Sequence, residues 1–142
     1  MKKTLMLFAM LFTAALALFV TTAASAQTIH MKADIPFNFV LNGATLPAGE
    51  YTVTSMDVRG QVLSISDLNS HHNNLITSNS CRSLKPATKT KLVFHRYGDR
   101  YFLNQIWVVG NDSGREIPTS RREEEVAKDF SMQEVVLVAA QR

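Results

Sequence analysis

Residues 91–109 read Lys91-Leu92-Val93-Phe94-His95-Arg96-Tyr97-Gly98-Asp99-Arg100-Tyr101-Phe102-Leu103-Asn104-Gln105-Ile106-Trp107-Val108-Val109. Two runs rich in β-branched and aromatic residues flank a single Gly-Asp pair, which is the pattern of an antiparallel hairpin. Glycine first and a polar residue second suits a two-residue type II′ turn. That turn sets Tyr97 opposite Arg100, Arg96 opposite Tyr101, His95 opposite Phe102 and Phe94 opposite Leu103. Alternation then places Leu92, Phe94, Tyr101, Leu103 and Trp107 on one face, with Arg96 and Gln105 among them. The other face carries Val93, His95, Tyr97, Phe102 and Ile106, with Lys91, Arg100 and Asn104. The first is expected to be the core face. The second is too aromatic to be plain solvent surface, so a helix or a ligand is expected to cover it.

Toward the N-terminus the same period of two continues. Ile29, Met31, Ala33, Ile35, Phe37, Phe39 and Leu41 alternate with mostly polar residues, the signature of a chain half-buried along its length. The run is too long for one ordinary strand, and Pro36 cannot donate to a ladder, so two strands or one bent edge strand are expected. Asn42-Gly43 and Pro47-Ala48-Gly49 are turn signals. Strands are expected at Tyr51 and Val53 and again over residues 62–66. Residues 68–90 read as exposed loops with at most a short strand at 75–77. His71 and His72 lie there, but adjacent residues on a strand diverge, and no acid or thiol stands at ligand spacing. No metal or other cofactor is expected.

On the C-terminal side, Ser120-Arg121-Arg122-Glu123 fits a capping box, with Glu123 reaching back to the Ser120 amide. A short helix near 120–130 is expected, its apolar stripe made of Val126, Ala127 and Phe130 and its acids 123–125 solvated. Residues 134–139 are apolar at both parities, which predicts a central strand. The reading as a whole is all-β, an antiparallel sandwich or barrel of roughly seven to nine strands with one short C-terminal helix.

The first 26 residues look different. Lys2-Lys3 precede an apolar stretch over 5–20 and the small-residue site Ala24-Ser25-Ala26, the layout of a cleaved export signal. Residues 27–142 then form one β-rich domain, with a destination in the periplasm or outside the cell. Removing Lys2 and Lys3 lowers Lys+Arg from 15 to 13 against 12 acids, and the net charge from +3 to +1. Such a balance argues against nucleic acid as the main partner. No second apolar run reaches spanning length, so no integral membrane segment is expected after processing. Cys81 is the sole cysteine, which excludes an intrachain disulfide.

The stretches Ile35-Pro36-Phe37-Asn38-Phe39, Leu46-Pro47-Ala48-Gly49-Glu50-Tyr51-Thr52-Val53 and 91–101, followed by Gly114-Arg115-Glu116, resemble a group of small exported bacterial proteins of unknown function. The resemblance implies export and a common fold but no activity. The segment 46–53 is also similar to a turn and strand of transthyretin-like secreted sandwich modules.

Nucleophile elbows, phosphate loops, H-E-x-x-H and C-x-x-C are all missing from the sequence. The expectation is therefore a non-catalytic binding module for a protein, peptide or glycan of the cell envelope. Its candidate face is His95, Tyr97, Arg100, Phe102, Asn104 and Trp107, where rings and polar groups alternate. The alternatives are an envelope structural subunit assembling by strand addition through the long N-terminal strand, and a small hydrolase with an unrecognised site.

Overall fold

The computed structural model describes residues 28–141. The expected export signal and its cleavage site lie outside the described residues. Among those described, twelve strands and one short helix, α1(Arg121–Val126), build a mainly antiparallel sandwich. One sheet has the order β12(Ala140–Gln141), β1(His30–Ile35), β4(Gly49–Ser55), β5(Val62–Asp67), β6(Asn73–Thr77). The other has the order β11(Met132–Val138), β8(Lys91–Tyr97), β9(Arg100–Trp107), β10(Ser113–Glu116), β7(Asn79–Arg82). The hairpin β2(Phe39–Leu41) and β3(Ala44–Leu46) joins the second sheet through a parallel pairing of β2 with β9.

The sheets are linked at both sides by chain that turns from one into the other. Only Ser78 separates β6 from β7, and only Ala139 separates β11 from β12. Both corners are pinned: the Ser78 amide donates to Gln61 O at 2.7 Å and its hydroxyl to Gly60 O at 2.8 Å, while the Ala139 amide donates to Thr90 O at 2.9 Å. The alternating N-terminal run divides at Pro36 into two strands, β1 in one sheet and β2 in the other. Its apolar parity survives the switch, because Ile29, Met31, Ala33, Ile35, Phe39 and Leu41 all enter one core and Phe37 packs against it.

The hairpin register holds at the turn and breaks further up. Tyr97 pairs with Arg100, Arg96 with Tyr101, His95 with Phe102 and Phe94 with Leu103, and Gly98 takes φ 62° as a type II′ turn requires. Beyond Phe94 a bulge leaves Asn104 without a cross-strand partner, so Val93 faces Gln105 and Leu92 faces Ile106. One extra residue inverts the parity of everything after it. Ile106 is therefore in the core, fully buried, and Trp107 and Gln105 are on the opposite face, the reverse of the alternation drawn from the turn alone.

Three further expectations change. Twelve strands exceed the expected seven to nine, because the corners and the β2–β3 hairpin each add short strands. Residues 79–82 are not an exposed loop but β7, held by four residue pairings to β10. The strand near 134–139 is not central: β11 pairs only with β8, and Val136 and Val138 are 45% and 63% exposed. Apolarity at both parities here marks a strand with one face on the core and one face largely exposed. Among the described residues, no helix is long and apolar enough to cross a membrane.

Candidate functional site

The structure divides the sequence-predicted face into two parts. In the lower half, Tyr97 and Phe102 form a small cluster with Val40 of β2 and Val126 of α1(Arg121–Val126). The helix thus lies on this face. Ser120 caps it by accepting from the Glu123 amide at 3.3 Å, but Glu123 does not complete a capping box. Its carboxylate turns down onto the sheet instead, accepting from His95 Nδ1 at 2.9 Å and from the Tyr97 hydroxyl at 3.3 Å. Glu123 is 4% exposed, so the acids 123–125 are not all solvated as expected. Of the predicted stripe only Val126 is buried; Ala127 is exposed, and Phe130 lies over the Gly98 turn, half exposed.

A carboxylate removed from water needs hydrogen-bond donors, and here one imidazole N–H and one phenol both donate to Oε1. Burial, reinforced by the Glu123 charge and hydrogen bond, pushes the Tyr97 hydroxyl above the usual tyrosine range. Arg122 adds a tether, donating to Gly43 O and Thr45 Oγ1 at 3.3 and 3.2 Å. No described hydroxyl or thiol hydrogen-bonds to the His95 ring. The arrangement is suited to docking a helix on a sheet.

In the upper half, Trp107 is 8% exposed and donates its indole N–H to Gln105 Oε1 at 3.0 Å. Its ring lies across Gly114, where an added Cβ would come within 2.7 Å. Asn104 is buried at the bulge, its carbonyl accepting from the Ile117 amide at 2.7 Å. Arg100 is exposed beside the turn. The six candidate residues are therefore not one open surface.

A concave site lies elsewhere, in a cleft of about 430 Å³ between the sheets. Ile29 and Ile106 from opposite sheets line it, with Val58, Arg59, Ser80, Ser113, Arg115 and Gln141 among its other walls. Arg115 pairs with Ile106 on one side and Ser80 on the other. Because Ile106 is core, this row faces the interior, and Arg115 carries a guanidinium at an inward-facing position. The guanidinium rests on Gly60, where a Cβ would meet Nε and Nη2 at 2.9 Å. Glycine is required there for the close approach and for φ 64°.

The loop that presents Gly60 is organised by Asp57. Its carboxylate accepts from the amides of Val62 at 2.8 Å and Arg59 at 3.2 Å. The Val62 amide is the main reason its pKa is lowered, and the charge of Arg115 contributes least. Sequence reasoning missed this cleft because its walls come from segments far apart in the chain. The one sequence cue was Arg115 within the Gly114-Arg115-Glu116 motif.

Cys81 sits opposite Gly114, half-buried. Burial first, then the Glu116 carboxylate, pushes its thiol pKa up. Alkylation by iodoacetamide at pH 8 should run roughly threefold or more slower in the native protein than in urea. Equal rates by mass spectrometry would contradict this.

Comparison with protein-family models, with curated proteins and with solved structures gives no match for this chain.

Proposed function

We propose that this chain is an exported, non-catalytic binding module that takes its ligand in the Arg115 cleft. One observation carries the reading: an inward-facing guanidinium stands at the mouth of a cleft between two sheets, with no hydrogen bond or ion pair to any described side chain. Concave sites with a few convergent polar groups are where small ligands bind. The hairpin face supports this role less well, because α1 rests on Tyr97 and Phe102. Amide-shift mapping with small neutral, cationic and anionic compounds tests the reading. Compounds that bind should converge on Ser80, Ser113 and Arg115. If none of any charge shifts those amides, the reading is overturned.

The strand-addition alternative moves to a different strand. β1 pairs with β4 along its length and with β12 at Met31 and Lys32, whereas no described strand pairs with the outer edge of β11. Exposed Val136 and Val138 on an edge strand favour self-association there, and sedimentation that depends on concentration would support it.

A further inference from the structure

We propose that the cleft is a carboxylate site, in which Arg115 holds the carboxylate of a small organic acid whose apolar body lies on Val58, Val108 and Val109. The proposal rests on the reading of this cleft as the ligand site and names the ligand class. The Arg115 guanidinium is partly buried at an inward-facing strand position, and the described residues supply it with no ion-pair partner. The charge of Arg115 reaches Asp57, but the two form no ion pair, and the Asp57 carboxylate accepts from the Val62 and Arg59 amides.

Arg115 is also held ready. Its guanidinium lies against the Gly60 backbone, the Ser78 hydroxyl pins that backbone from the Gly60 carbonyl at 2.8 Å, and the residue is only partly exposed. The Nε and Nη2 edge faces Gly60, Nη1 is not among the atoms packed there, and the N–H groups on that outer side can donate charge-assisted hydrogen bonds to a carboxylate. Ser80 lies directly across from it, and Ser113 precedes it by two residues on the same side of β10. Arg59 adds a second positive charge at the lining, where no aspartate or glutamate is found among the described residues.

The apolar walls decide against a bare inorganic anion. A phosphate ion would leave Val58, Val108 and Val109 unused, and a space of about 430 Å³ is far more than it needs. An amphipathic monocarboxylate uses both the guanidinium and the walls.

Titration of the protein with hexanoate, hexanamide and inorganic phosphate, followed by amide and Arg115 side-chain N–H shifts, tests this. Hexanoate should shift Ser80, Ser113 and Arg115, with hexanamide at least ~tenfold weaker and phosphate weaker than hexanoate. R115M should lose hexanoate binding by at least ~tenfold. If R115M does not fold, V58D serves instead: Val58 is 76% exposed, so the fold should tolerate the change, and the new negative charge should weaken hexanoate. Hexanamide binding as well as hexanoate, phosphate binding more tightly, or V58D leaving hexanoate unaffected would each overturn the carboxylate assignment while the binding cleft stands. Silence from every compound at the cleft would overturn the binding reading itself.

Discussion

Truncation of Phe94 to alanine should destabilise the protein by about 3–5 kcal/mol. Phe94 has no exposed surface and sits where both sheets and the β1–β2 crossover meet. Its ring meets Phe37 edge-on at 5.2 Å and Phe39 at 5.6 Å, and it pairs across strands with Leu103 and Val135. Three chain segments would lose one shared neighbour, so collapse onto the void is opposed from several directions. A domain of this size has about 5–15 kcal/mol of stability in total, so the urea midpoint should fall steeply. Trp107, the sole tryptophan, provides the fluorescence signal. Leu84→Ala is the control, since Leu84 is fully exposed and its loss should stay within about 0.5 kcal/mol. A Phe94→Ala midpoint indistinguishable from the control would mean that this is not the core face.

The second large effect concerns the layer under α1. Tyr97→Ser and Phe102→Ser should each cost about 3 kcal/mol or more, because each removes a buried ring and leaves a hydroxyl in its place. Phe102 is 2% exposed and Tyr97 7%. Their rings meet edge-on at 5.8 Å, so the double variant should fall short of the sum of the singles. Tyr97→Ser also removes a hydrogen-bond donor from buried Glu123. Loss of stability identifies the face as the seat of the helix. Unchanged stability together with loss of a captured partner would instead make it a binding face from which α1 can lift.

Much of the fold was legible in short windows of sequence. The Gly98-Asp99 turn and the four pairings beside it depend on residues within a few positions of one another. The break at Pro36, the turn at Asn42-Gly43, where both residues take positive φ, and the Ser120 cap follow from local backbone chemistry in the same way. Periodicity also marked Ile29 to Leu41 as core-facing without saying which sheet each half would join.

What remained hidden depended on pairings between distant segments. The bulge at Asn104 lies at the point where the edge of β9 passes from β2 to β10, and nothing in residues 91–109 announces it. It alone moved Ile106 into the core and Trp107 out of it. Glu123 read as a cap because the capping pattern is local, yet tertiary contact gave its carboxylate to His95 and Tyr97, 28 and 26 residues away.

By itself, then, the sequence determined alternation, turns and caps, since these arise from dihedral preferences and side-chain parity within one strand or turn. Only the tertiary structure decided that β11 is an edge, that α1 covers the hairpin, and that Arg115 shares an inward row with Ile106 and Ser80. The physical reason is that alternation states which side chains share a face but not which strand edges hydrogen-bond. Edge pairing is settled by burying the whole apolar surface at once, and a cleft exists only where segments distant in sequence end beside one another.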